Sequence, residues 1–227
     1  MLGCRLLNGG NMIQHKQTYI NQDFSKQELH SAVFEACKFY NCSFEYADLR
    51  EAQFVDCRFI ESGAIEGCSF NHANLKDASF KGCQLAMSQF VSAECFGIEM
   101  RDCDLKGANF VRANFTNRIS HKAYFCSAYI TRCNLSYTNF ERAVLEKCEL
   151  FENRWNGAHL FGVNFKGADL SSGEFSSEQW ESANFEECNL AHVDLEGVDV
   201  RRVSLFGAKI CDWQQEQLLS QLGIILL

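Results

Sequence analysis

Large apolar residues fall at every fifth position over most of the chain, and Leu135, Phe140, Leu145, Leu150, Trp155, Leu160, Phe165 and Leu170 form one unbroken run. A helix would space such residues by three and four, and a half-buried strand by two, so a step of five fits neither. Two places earlier the residue is usually small (Cys133, Ala143, Cys148, Ala158, Ala168), with Thr138, Asn153 and Val163 as exceptions. Residues two apart on an extended chain share a face. Each unit of five therefore predicts a short strand that points one small and one large side chain inward, followed by a turn. Glycine two places after the large residue, as at Gly97, Gly107 and Gly157, favours that turn.

The period starts at Phe24 and runs through Leu29, Phe34, Phe39, Phe44, Leu49, Phe54 and Phe59. It then slips by one residue, resumes at Ile65 or Phe70, and continues on multiples of five to Ile210. One continuous solenoid is expected, not several domains. The segments "ADLRE", "ANLKD", "ANFVR" and "ADLSS" resemble the repeat of the pentapeptide-repeat proteins. That resemblance implies an all-β fold, a right-handed quadrilateral β-helix with four five-residue sides per coil, in which residues twenty apart stack. The expected columns are then Phe70, Phe90, Phe110, Ile130, Leu150, Leu170, Leu190 and Ile210 on one side, and Ile65, Leu85, Leu105, Phe125, Leu145, Phe165, Phe185 and Leu205 on another. The β-helix is expected over residues 16–210, after a disordered extension at 1–15 in which Met12 is an alternative start, and before a capping and dimerisation segment at 211–227.

Two stretches leave the pattern. Between Phe59 and Phe70 eleven residues replace the expected ten, and Glu61, Ser62 and Gly63 supply turn chemistry for a small loop at about 60–67. Between Phe115 and Ile130 the count is kept, but Arg118 stands where a small inward residue belongs and Ser120 where a large one does. An unpaired Arg in the core is too costly, so residues 116–127 are expected to leave the wall. Solenoids often carry such insertions on a binding face, although tolerated loop variation would read the same way.

Composition narrows the chemistry. The 227 residues include 20 Phe and no Pro, which suits a wall in which every strand donates hydrogen bonds to its neighbours. No apolar run is long enough to span a bilayer. Of 13 Cys, nine (Cys37, Cys42, Cys57, Cys68, Cys83, Cys103, Cys133, Cys148, Cys188) hold the small inward position and Cys95 a large one, so they read as reduced core filler in a cytoplasmic protein. The six His (His15, His30, His72, His121, His159, His192) lack ligand spacing, and no nucleotide loop or nucleophile with a neighbouring His stands out. Neither a metal, a cofactor nor a catalytic residue is expected, and the chain is not read as an enzyme.

Charge is uneven. Residues 141–200 hold thirteen Asp or Glu against four Lys or Arg, while residues 61–140 hold seven against eight, within a net charge of −8. An acidic half would be drawn to a basic, DNA-binding protein surface and repelled by DNA itself, or it simply keeps the rod soluble. At the C-terminal end, Asp212 is expected to cap a helix, with Gln215 three residues on and Gly223 ending it. Trp213, Leu218, Leu219, Leu222, Ile224, Ile225, Leu226 and Leu227 give that tail an apolar face.

The segments "ESGAIEGCSF", "RDCDLKGANF", "SHKAYFCSAYI" and "LEKCELFENRW" are similar to those of the quinolone-resistance pentapeptide-repeat proteins, the Qnr family. The resemblance implies binding to DNA gyrase and topoisomerase IV, protection of both from quinolones, a DNA-like acidic rod, and a homodimer joined through the C-terminal end. It also implies two recognition loops, one at Glu61, Ser62, Gly63, Ala64, Ile65 and Glu66, the other at Thr116, Asn117, Arg118, Ile119, Ser120, His121, Lys122, Ala123 and Tyr124. A scaffold protein with an unrelated partner is the alternative reading.

Overall fold

A computed structural model of the chain describes residues 12–120 and 123–224. The expected extension therefore lies, up to residue 11, outside the described residues, but the wall begins within its last part, at strand β1 (Ile13–His15). The remaining strands are β2 (Thr18–Ile20), β3 (Val33–Glu35), β4 (Lys38–Tyr40), β5 (Gln53–Val55), β6 (Ser79–Lys81), β7 (Ile98–Arg101), β8 (Thr116–Arg118), β9 (Tyr124–Cys126) and β10 (Ala128–Thr131). A 3₁₀ turn at Ser177–Ser182 and a helix, α1 (Gln214–Ser220), complete the elements.

The chain winds as a four-sided parallel β-helix. Side one is the six-stranded parallel sheet β1-β3-β5-β6-β7-β10. Side two starts with the β2-β4 pair and continues through bridges at Arg58, Gln84, Asp104, Asn134, Arg154 and Glu174. Side three links Asp23, Ser43, Ser69, Gln89, Asn109, Asn139 and His159; side four links Glu28, Asp48, Asn74, Glu94 and Asn114, then Val144, Asn164 and Asn184. Strands of three or four residues suffice because most rungs hydrogen-bond to the coil before and after them.

The large residues point inward and stack. On side three, Phe24, Phe44, Phe70, Phe90, Phe110 and Phe140 form a column with ring centroids 4.6–5.0 Å apart and planes within 8° of parallel. That spacing is the strand spacing itself. The inward positions are filled as expected: the nine cysteines assigned to small positions and Cys95 at a large one are all buried. Thr138 and Asn153 are buried too, Thr138 donating to Leu135 O (2.6 Å) and Asn153 to Ile130 O (2.6 Å) and Leu150 O (2.8 Å).

At the corners the residue two after the large one has positive φ whether or not it is glycine, as at Asn41 (φ 52), Tyr46 (φ 58) and Arg112 (φ 60). An L-residue there costs roughly 1–2 kcal/mol. The neighbouring coil offsets this through bonds such as Tyr46 N to Asn71 O (3.0 Å). A Cβ on Gly97 would lie 2.0 Å from Asp77 Oδ1, so a larger residue at that corner would have to push the carboxylate aside.

Three expectations need correcting. The first loop adds six residues, not one, because Phe54 pairs with Phe80 across it. The second stretch does not keep the count around the rod: it adds ten residues, so Met100 pairs with Ile130 and Asn109 with Asn139. Phe140, not Ile130, therefore follows Phe110. Ile65 and Phe125 are not rungs at all, being 79% and 45% exposed. The wall closes behind Ile65 through Cys68 N to Phe59 O (3.1 Å), which leaves that side chain outside.

Candidate partner-binding surface

Residues 60–67 leave the rod between Phe59 on side two and Phe70 on side three. Gly63 (φ +84) turns the chain, and Ala64 N closes the turn on Glu61 O (3.0 Å). Glu61, Ser62, Gly63, Ala64, Ile65 and Glu66 are all exposed. Gly67 brings the loop back against the next coil, where a Cβ would lie 2.6 Å from Ala86 O.

The larger insertion is a β-hairpin. Thr116, Asn117 and Arg118 of β8 pair antiparallel with Cys126, Phe125 and Tyr124 of β9. Sequence reading placed these residues off the wall without seeing that they pair with one another. Ile119 N and Ser120 N both bond to Ala123 O (2.9 and 3.1 Å), and Ile119 is 72% exposed. His121 and Lys122 lie outside the described residues. Two contacts steer the hairpin: the edge of Phe125 meets Phe96 (5.2 Å, 78°), and Tyr124 Oη donates to Glu146 Oε1 (2.9 Å). The Glu146 carboxylate accepting that proton raises the phenol's pKa.

The hairpin leaves side four after Phe115 and rejoins side one at β10. It therefore occupies the corner diagonally opposite the small loop. Loop and hairpin leave the third and fifth coils, about 12 Å apart along the axis at the usual strand spacing. A single flat surface cannot touch both.

Below the hairpin the surface is acidic. Glu146, Glu149, Glu152, Asp169, Glu178, Asp194 and Glu196 form no ion pair among the described residues, whereas Arg154 pairs with Glu174 (3.1 Å) and Lys166 with Glu187 (3.1 Å).

At the C-terminal end α1 does not use Asp212 as its cap; Trp213 is the N-cap and makes no side-chain capping bond. The buried amide of Gln214 takes over, accepting from Cys211 N (2.6 Å) and donating to Leu190 O (2.9 Å) and Val193 O (2.7 Å) of the coil below. Gln179 does the same at the 3₁₀ turn, accepting from Ser176 N (2.7 Å) and donating to Trp155 O (2.9 Å) and Ala158 O (2.7 Å). Both amides escaped sequence reading. Gly223 (φ +74) ends the helix as expected. Trp213 (54%), Leu222 and Ile224 (48%) are exposed, Leu218 and Leu219 are half-buried, and Ile225, Leu226 and Leu227 lie outside the described residues.

Candidate chemistry is sparse. Cys211 Sγ lies 3.8 Å from His192 Nδ1 and 3.7 Å from Nε2. A sulfur equidistant from both nitrogens is aligned with neither in-plane lone pair, which a general base would need. No three His, Cys, Asp or Glu side chains among the described residues gather as a metal requires. No helix among them is long and apolar enough to cross a membrane.

A family model of the pentapeptide repeat region matches residues 29–110, and one of pentapeptide repeats matches residues 180–210. The pentapeptide repeat protein VPA0095 of Vibrio parahaemolyticus is 62% identical over 74% of this chain and 77% of its own length. The quinolone resistance pentapeptide repeat protein QnrB96 of Scandinavium goeteborgense is 46% identical over 56% of this chain and 59% of its own. The solved structure of full-length QnrB1, a plasmid-mediated fluoroquinolone resistance protein, superposes with a TM-score of 0.89 at 43% identity, over 93% of this chain and 100% of that one.

Proposed function

The chain belongs to the pentapeptide-repeat proteins, in the Qnr quinolone-resistance family, and on that premise we propose that it binds DNA gyrase and topoisomerase IV and protects them from quinolones. The observation that carries this reading is the end-to-end likeness to QnrB1, a right-handed β-helix of the same kind at 43% identity.

The geometry supports a binding role without chemistry. The unpaired carboxylates of the lower coils give a long-range attraction to the basic surface on which a topoisomerase holds DNA, and speed encounter more than they add affinity. That same charge disfavours direct contact with nucleic acid. Contacts at short range fall to the small loop and the hairpin, at Glu61 to Glu66 and Thr116 to Tyr124. Because these project from opposite corners, the partner grips the rod from two sides or through two subunits. The drug itself need not be touched.

The exposed apolar side chains of the tail, Trp213, Leu222 and Ile224, support a homodimer through the C-terminal end, with the acidic coils of the two rods flanking its centre. A cytoplasmic location follows from the proposed partner. The second reading, a scaffold for another protein, is favoured only by the 62% identical relative, whose name specifies no target. Supercoiling by gyrase in the presence of a quinolone, with and without this protein, separates the two.

A further inference from the structure

The wall of the rod is parted beneath the hairpin, as it is again nearer the C-terminal end, where no rung joins Glu174 to Asp194 or Asn184 to Ser204. On side four no rung joins Asn114 to Val144, although side three stays closed beside it at Asn109 and Asn139. In a closed rung, Leu49 N donates to Asn74 O (2.9 Å) and Asn74 N to Ala47 O (2.9 Å). The equivalent groups at the open rung are Phe115 N–H, Ala113 C=O, and the N–H and C=O of Val144, and none of the four has a backbone hydrogen bond. The hairpin is the cause: Phe115 O is taken by Ser127 N (3.2 Å) and the chain runs on into β8, away from the coil that should follow.

The result is a crevice of about 280 Å³ beneath the hairpin, with Phe115, Ala113 and Val144 in its walls and Arg118, Arg142 and Tyr124 around its mouth. Its two guanidinium groups lack a close carboxylate; among the other described arginines Arg58 and Arg112 form no ion pair either, and the rest are paired. Arg132 pairs with Asp102 (2.7 Å), Arg154 with Glu174 (3.1 Å) and Arg201 with Asp199 (2.7 Å). Arg118 forms no ion pair among the described residues, and Arg142 only a long one, Nε to Glu141 Oε1 at 3.7 Å.

We propose that this open rung is a docking slot for a short, extended, acidic peptide segment of a partner protein, whose backbone completes the missing hydrogen bonds and whose carboxylate pairs with Arg118 and Arg142. Unpaired backbone donors and acceptors together match a peptide group, which carries one of each. A phosphate offers acceptors alone and would leave the two carbonyls orphaned, and a rod of net charge −8 repels a polyanion. Arg is suited to the carboxylate because its planar fork binds both oxygens. The slot's chemistry is the same whether or not the partner is a topoisomerase.

The test is an NMR titration of the ¹⁵N-labelled full chain with acetyl-Thr-Val-Glu-Val-Thr-amide and with the same peptide carrying Gln or Lys at its centre. The amides of Phe115 and Val144 are expected to exchange quickly in the free protein, then to shift and become protected with the Glu peptide. The Gln peptide should bind about ten-fold more weakly, the worth of one charged hydrogen bond, and the Lys peptide should leave both amides unmoved. A variant carrying Arg118→Glu and Arg142→Glu should lose the response while its remaining spectrum is unchanged, since both side chains are exposed and Glu already occupies corners of this conformation at Glu51 and Glu152. The proposal is overturned if the Glu peptide shifts neither amide at its solubility limit, if all three peptides act alike, if the variant still binds, or if a single-stranded oligonucleotide moves these amides in place of the peptide.

Discussion

Phe110 and Phe140 stack face to face, their centroids 4.6 Å apart and their planes 8° from parallel, with the whole hairpin lying between them in sequence. The insertion is therefore an appendage to a core that continues past it. The hairpin can vary, or be removed, without breaking the column that holds the rod together.

Truncating one of those rings should be costly. Phe140→Ala leaves a cavity between Phe110 and the coil below, and is expected to destabilise the protein by about 3–5 kcal/mol, as large core truncations do. Chemical denaturation would check this. An unchanged midpoint would mean that the column contributes little.

Burial raises the pKa of Cys148 and Cys188 to about 12 and lifts those of Cys83 and Cys95 well above the usual thiol value. Their thiolates are scarce near neutrality. Of the described cysteines, the half-buried Cys126 and Cys211 should react with a thiol reagent in the native protein, and the others only after unfolding. A chelator or mild reductant should leave the melting temperature unchanged; a drop with either would reveal a metal or a disulfide.

Stability should fall in acid. The hydrogen bond and charge of Arg132 lower the pKa of Asp102, those of Arg50 lower that of Asp48, and Arg201 draws Asp199 down to about 2. A carboxyl held lower in the folded state than in the unfolded state contributes stability that is fully present above about pH 4. That contribution fades as pH falls toward about 2. These groups are exposed, so the effect is modest. Calorimetry across that window should show the melting temperature declining, with a shallower slope for Asp102→Asn.

Ending the chain after Ile210 removes α1, the apolar tail and the Gln214 amide that satisfies Leu190 O and Val193 O. The proposed dimer should then sediment as a monomer, or aggregate through the bared edge of the last coil. A clean dimer from that variant would place the interface elsewhere.

The sides of the rod were legible in the sequence because a step of five is written into the inward positions from Phe24 to Ile210. What the step could not reveal is how many sides an insertion consumes. The hairpin adds two full units, so Ile130 returned to the count while changing sides, and Phe125 kept time on the outside. The 3₁₀ turn was hidden in the same way: Phe175, Trp180 and Phe185 hold their places while the backbone between them coils. Arg118 and Ser120 did betray the hairpin, since neither fits the inward pattern. The open rung beneath it had no local signal, because it depends on Asn114 and Val144, which meet only once the coil is wound.

Replacing Thr116 to Tyr124 with a short glycine linker tests the central claim most directly, read out as quinolone-inhibited supercoiling by gyrase. The intact protein is expected to restore supercoiling. The shortened one should keep its circular dichroism and melting behaviour yet give no protection, because a binding loop loses all its contacts at once while the aromatic columns lose none. Deleting Glu61 to Ala64 should weaken protection less. If the intact protein gives no rescue, the topoisomerase reading is contradicted. If a folded, shortened protein rescues as well as the intact one, recognition lies in the acidic wall and not in the hairpin.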